Sequence, residues 1–211
     1  MLEQTFIDLI TNYSDNKSYN LECWKEIKKN YTSKSRHYHN LQHLEHMLNE
    51  LESVKSQVQD LDTLLFAIYY HDIFYKSTKT DNEHQSALLF EKRISKTTFP
   101  NINKCKAQIE ATKEHKLSTD PDTNLLLDLD LSILGKDPKE YQTYSANIRK
   151  EYKIYPNFMY RKGRAKALNS ILQQDTIFKT DTFITKYEAQ ARENLKTELE
   201  LLEGGLFNYH N

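Results

Sequence analysis

Four of the chain's eight histidines crowd into SRHYHNLQHLEHML, residues 35–48: His37, His39, His43 and His46. An imidazole can be a solvated group on a wet surface, a metal ligand, or an acid–base group that titrates near neutral pH. If the segment is helical, His39 and His43 project from one face, one turn apart. His46 can share that face and His37 points elsewhere. Solvated histidines on a polar flank are the ordinary alternative for this segment alone. A second piece, AIYYHDIFY, sets His71 and Asp72 side by side at the end of an apolar run. A neutral imidazole and a carboxylate suit first-row divalent metals. Burying both without a partner is costly, and a cation offsets that cost. A third piece, LLLDLDLSILG, carries Asp128 and Asp130 inside an apolar run. Residues two apart on a helix do not share a face, and buried carboxylates are paired or metal-bound. One of the two therefore faces a site and the other is structural. A capping role after Pro121–Thr123 suits Asp128 more readily than Asp130.

The elements that must carry these groups are helical. Glycine and proline are scarce, four of each. Pro100, Pro121, Pro138 and Pro156 sit between periodic segments, and Gly204 and Gly205 follow the last one. Proline starts or breaks helices and glycine ends them. Leu41, Leu44, Met47, Leu48 and Leu51 fall at helical steps. DTLLFAIYYHDIFY predicts a more buried helix with Asp62 as N-cap. NEHQSALLFEKRI, NKCKAQIEATKEH and TNLLLDLDLSIL continue the pattern, and KYEAQARENLKTELELLEGG is the clearest amphipathic helix. No alternating strand, repeat or low-complexity linker stands out. The expectation is an all-α fold of about eight to ten helices, as one domain over 1–211. Its metal-binding core would lie at about 36–135, with helices over 138–205 packing on it. The Leu-rich last helix either packs within the domain or pairs two chains as a homodimer.

Composition narrows the function classes. A net charge of −1 gives no basic field that would favour nucleic acid as a partner. No apolar run approaches the ~20 residues that span a bilayer, so no membrane partner is expected. The start, MLEQTFIDLITNYSDN, lacks the basic cluster of a secretory signal. Cys23 and Cys105 are far apart and outside any CxxC spacing, which predicts free thiols and a cytoplasmic protein.

The order His…His-Asp…Asp on helices resembles the HD superfamily of metal-dependent phosphohydrolases. YHNLQH is similar to the YHNxxH signature of class I cyclic-nucleotide phosphodiesterases. By that match His39 takes the place of the general acid, His43 is a metal ligand, and His71 and Asp72 supply the next two. DLS at 130–132 resembles the segment whose aspartate closes the metal site, which favours Asp130. IEATKEH, ending at His115, resembles a region lining the same pocket. The whole chain, including RHYHN, DNEHQSA, LDLDLSILG, IRKEY and ARENLKTEL, most resembles a bacterial family of uncharacterised, predicted HD phosphohydrolases. The phosphodiesterase likeness covers only the site motifs. Their HD motif continues into a second histidine where this chain reads IFYKSTKTDNEH, and their large C-terminal, purine-holding part is lacking. Cyclic-nucleotide specificity therefore does not carry over.

The implied chemistry is hydrolysis of a phosphoester in a nucleotide or other small phosphorylated compound. His43, His71, Asp72 and Asp130 form a mixed N/O set suited to Mn, Fe, Co, Ni or Zn, and less to Mg. The cation would lower the pKa of bound water from ~16 toward ~7, and His39 would protonate the leaving oxygen. One ion or two is open; a second would draw on Glu83, His84 or His115, bridged by Asp72. Glu83 could instead orient the water or a ligand histidine, or simply acidify the first turn of a helix capped by Asp81. Phosphate needs further positive charge. The stretch 148–168 holds seven lysines and arginines against Glu151. Arg164 is the preferred contact, Arg149 the second, and Arg36 a further one or a salt-bridge partner. Tyr38 and Tyr75 flank the metal motifs, while His37 and His46 read as surface residues. Two rivals remain at this level: an HD-fold di-iron oxygenase using His84 and His115, and a non-catalytic module that binds metal or nucleotide.

Overall fold

The computed structural model describes residues 2–204, so Gly205 and the rest of the tail lie outside the described residues. Among the described residues there are ten α-helices and no strand. They are α1 (Leu2–Thr11), α2 (Lys17–Tyr31), α3 (Leu41–Val54), α4 (Leu61–Tyr70), α5 (Asn82–Ile94), α6 (Ile102–Ala111), α7 (Pro121–Leu131), α8 (Pro138–Glu151), α9 (Asn157–Leu172) and α10 (Asp181–Glu203). Short 3₁₀ turns follow α3 at Lys55–Gln57 and α7 at Ser132–Gly135. The expected all-α class is what the chain forms. No helix is long and apolar enough to cross a membrane among the described residues. The chain divides into two compact units, one ending at Leu129 and the other beginning at Asp130.

In the first unit α4 is apolar nearly all round, and such a helix must be surrounded. It packs against α1, α3, α5 and α6. Phe66, Tyr69 and Tyr70 are fully buried. Phe6 meets Tyr69 edge-on at 5.1 Å, Phe66 meets Phe99 at 4.8 Å and Tyr70 meets Phe90 at 5.4 Å. The N-cap of α4 is Asp60, which accepts from the Thr63 backbone N–H. Asp62, the cap expected from the sequence, lies inside the first turn and accepts from the Tyr13 hydroxyl at 2.7 Å. The cap ahead of α7 is Asp120, which accepts from the Thr123 N–H and hydroxyl. Asp128, the expected cap, is a fully buried interior residue of α7. Asp122, also fully buried, accepts the backbone N–H groups of Gln59 and Asp60, both at 2.8 Å, and ties the start of α7 to the start of α4. Lys104 stands 3.4 Å from Asp122, 3.7 Å from Asp120 and 3.9 Å from Asp60. Cys23 and Cys105 are buried free thiols, as expected.

Asp60 and Asp120 make the first unit acid-sensitive. Burial alone would raise Asp60 and Asp120. Hydrogen bonds from Thr63 and Thr123, with the charge of Lys104, outweigh it and hold both below the ordinary 3.8. A group whose pKa is depressed on folding stabilises fully above its unfolded value, and that contribution is lost as pH falls through the folded value. The Asp60→Asn/Asp120→Asn variant should therefore show a shallower acid-side loss of stability in urea titrations between pH 5 and pH 2. Replacing either cap by alanine should cost about 1 kcal/mol at pH 7. A wild-type acid slope in the double variant would contradict this assignment.

In the second unit, α10 packs on α9 and on the Ser132–Gly135 turn. Gly135 is required there because a Cβ would overlap the Cβ of Tyr187. Asn194 donates to the carbonyls of Leu134 and Lys136, both at 2.8 Å, and fixes the turn. Glu198 is 2 % exposed and is held by the Arg164 fork at 2.9 and 3.0 Å, by the Ser145 hydroxyl at 2.9 Å and by the Tyr141 hydroxyl.

Candidate metal centre

The site is built where a loop and two helix ends meet in the first unit. Asn40 caps α3, accepting from the Gln42 N–H at 2.8 Å, so the helix starts at Leu41. His39 is thus in the loop before the cap. The shared helix face expected for His39 and His43 is not formed, because Asn40 takes the extended backbone of a cap. Their rings still lie 5.9 Å apart. His43 falls in the first turn of α3 and is buried. His71 is the C-cap of α4, its N–H bonded to the Ala67 carbonyl at 2.8 Å, and Asp72 follows as the chain leaves the helix.

His71 Nδ1 lies 2.8 Å from the Ile68 carbonyl. A carbonyl only accepts, so Nδ1 carries the proton, and in the neutral ring the lone pair is at Nε2. His71 Nε2 lies 3.2 Å from His43 Nε2 and 3.4 Å from Asp72 Oδ2. Donor atoms of His43, His71 and Asp72 all lie within 4.8 Å of one another, and the three residues are buried. Atoms that share one ion through bonds of about 2.1 Å sit roughly 3.0–3.4 Å apart. The trio can hold a metal ion. His39 Nε2 is 3.9 Å from Asp72 Oδ2, and its ring stacks on Tyr75 at 4.1 Å. Tyr38 lies edge-on to His39 at 5.0 Å and tilted against His43 at 5.0 Å.

Comparison with protein-family models, curated proteins and solved structures gave no match.

Arg36 does work that the sequence did not reveal. Its buried guanidinium donates to the carbonyls of His39 (3.1 Å), Asp72 (2.7 Å) and Ile73 (2.9 Å). It also lies over the ring of Tyr31 at 4.8 Å, whose hydroxyl accepts from the Asp72 N–H. Arg36 therefore clamps the His39 loop to the His71–Asp72 corner and does not present its fork to a phosphate. The segment after Asp72 is fixed by two polar residues four apart on α5. Ser86 exchanges hydrogen bonds with the Phe74 backbone, and Asn82 does so with that of Lys76.

Glu83 is half-buried, and burial pushes its carboxyl upward. The Asp72 charge pushes the same way, against its own backbone N–H, Lys113 and His115. Glu83 thus feels the charges of Asp72, Lys113 and His115 together, and Lys113 was not singled out from the sequence. His115 follows α6 with φ 48°, a left-handed backbone that histidine tolerates better than most residues. His84 instead turns outward, exposed and bonded to Glu110 at 2.8 Å. His37 and His46 are half-buried rather than surface residues. Asp130 is half-buried in the last turn of α7, where the second unit begins.

The other two arginines expected at phosphate are engaged within the second unit. Arg164 is closed on Glu198. Arg149 donates to the carbonyls of Tyr152 and Tyr155 and to Asn157 Oδ1. Positive charge in a linear sequence does not show which carbonyls or carboxylates will consume it.

Proposed function

We propose that the chain is a metal-dependent phosphohydrolase of the HD type, acting on a nucleotide or another small phosphorylated compound. The observation that carries this is the convergence of buried His43, His71 and Asp72, with His39 beside Asp72. The donor set suits Mn, Fe, Co, Ni or Zn. When bound, such an ion acidifies water and neutralises charge on a phosphoryl group. His39, held between Tyr75 and Tyr38, supplies the proton to the leaving oxygen. Arg36 keeps that imidazole in register with Asp72 through backbone carbonyls alone. Glu83, whose carboxyl is raised by burial and by the Asp72 charge, is the group proposed to accept from and orient the water. The di-iron reading asks for His84 as a ligand, and its bond to Glu110 on an exposed face weighs against it.

The test is a screen of phosphomonoesters, phosphodiesters and nucleotides with protein loaded in turn with each metal. His39→Ala should keep its metal content while turnover of the best substrate falls about a hundredfold or more. Unchanged turnover in that variant, or no substrate among all classes, would overturn the reading.

A further inference from the structure

The corner between α8 and α9 is unlike the rest of the surface. Three of the six exposed large apolar side chains among the described residues fall within 154–159: Ile154 at 67 %, Phe158 at 73 % and Met159 at 49 % exposure. Isolated exposed apolar residues are ordinary, but a group on one tip is not. The tip is rigidly built. Arg149 binds the carbonyls of Tyr152 and Tyr155 and Asn157 Oδ1, and it lies 4.7 Å over the ring of Tyr160. Tyr155 N–H closes the turn onto the Tyr152 carbonyl at 3.0 Å.

Cations flank this tip along the chain. Between 141 and 174 there are seven lysines and arginines, while the sole acid, Glu151, is buried. Lys150 and Lys153 are exposed on the α8 side, and Lys162 and Lys166 are exposed on α9. Lys162 is one turn beyond Phe158 and Lys166 one turn further, so they share its face. The guanidinium forks are not among the available charges: Arg149 is tied to the turn, Arg161 to the Leu202 carbonyl and Arg164 to Glu198. What is left is point charge on flexible lysines around a protruding alkyl and ring cluster.

We infer that the α8–α9 corner is a peripheral docking surface for an anionic lipid bilayer, with Ile154, Phe158 and Met159 entering the interface and the lysines meeting the headgroups. A protruding tip of mixed alkyl and ring groups needs no complementary groove in a fluid acyl layer. Lysines serve diffuse headgroup charge without forked recognition. Nucleic acid would call on free arginine forks, which this corner does not offer, and on more than the single exposed ring of Phe158. The inference departs from the expectation of no membrane partner, because hydropathy along a chain reports spanning segments and not a turn lying in the interface. It stands independently of the metal centre.

The experiment is flotation of the full chain with vesicles of phosphatidylcholine alone and of equal parts phosphatidylcholine and phosphatidylglycerol, at low and high salt. Partition into the anionic vesicles should be at least about tenfold stronger and should weaken with salt. Ile154→Ser/Phe158→Ser/Met159→Ser should lower it about tenfold or more, with unchanged circular dichroism because all three sites are exposed. Lys150→Glu/Lys153→Glu/Lys162→Glu should remove the preference for anionic lipid. Equal partition into both vesicles, no binding, or full binding by the serine variant (adsorption by charge alone) would each overturn the inference. If the serine variant folds poorly, the lipid comparison and the charge-reversal variant still decide it.

Discussion

On the proposed function, Asp72→Asn should lose metal binding and phosphoester turnover together while leaving the fold intact. Asp72 contributes the only carboxylate of the buried trio, and its Oδ2 lies 3.4 Å from His71 Nε2 and 3.9 Å from His39 Nε2. The amide keeps the shape, and the backbone contacts to Arg36 and Tyr31 do not involve the altered atoms. What is lost is an anionic ligand. A metal present at a hundred times its dissociation constant stabilises the folded form by about 2.7 kcal/mol. For a chain of this size that is a rise of roughly 5–10 °C in the unfolding temperature. Wild-type protein should show that rise with Mn²⁺ or Zn²⁺ in a thermal melt, and Asp72→Asn should not. An ion's charge stabilisation of several kcal/mol corresponds to a rate loss of about a thousandfold or more on the best phosphoester. A metal-induced rise in the variant equal to wild type would remove Asp72 from the centre. Activity that survives in it would belong to another site.

The elements of this fold were legible wherever a local signal decided them. NEHQSALLFEKRI coincides with α5 because its apolar period and flanking polar residues agree. The His71–Asp72 corner was legible for a different reason. An imidazole and a carboxylate at the end of an apolar helix are costly to bury unpartnered, so the pair pointed to a candidate site without naming the third residue beside it. The four-residue spacing puts His39 on the helix of His43, but Asn40 immediately ahead of Leu41 is a strong N-cap and ends any helical continuity with His39. Asp60 and Asp62 both precede the same apolar run, and the Thr63 contact marks Asp60 as the cap. Asp122 carried no sequence signal at all. Its role depends on two backbone N–H groups more than sixty residues earlier, which no local pattern encodes. Arg36, Arg149 and Arg164 share this difficulty, since an arginine gripping carbonyls and one awaiting phosphate read alike until the tertiary neighbours are known.

Arg164 offers the sharpest contrast between those two kinds of arginine. As a phosphate contact, it could be replaced by methionine with a raised KM and little change in stability. Its structural setting requires the opposite. Arg164 and Glu198 form a buried bidentate pair, with side chains 11 % and 2 % exposed. Burial alone would raise the Glu198 carboxyl, and Arg164, with the Tyr141 and Ser145 hydroxyls, holds it below its ordinary value. Removing one member of a buried pair costs about 3–5 kcal/mol because the other is left uncompensated. Arg164→Met should lie near the lower end, since Tyr141 and Ser145 still donate to the carboxylate. The pH dependence fixes the cause. In wild type, the depressed Glu198 pKa contributes stability that is full above the unfolded value and is lost as pH falls through the folded value. In Arg164→Met the carboxyl is raised instead, so folding takes up a proton and the variant is penalised most at neutral pH. The gap between the two proteins should therefore shrink as pH falls from 7 toward 4, measured by urea unfolding of the second unit. Arg164→Met/Glu198→Leu should be more stable than Arg164→Met at pH 7, because no buried charge is left unpaired. Equal stability of Arg164→Met and wild type across that range would return Arg164 to the list of groups free to meet a phosphate.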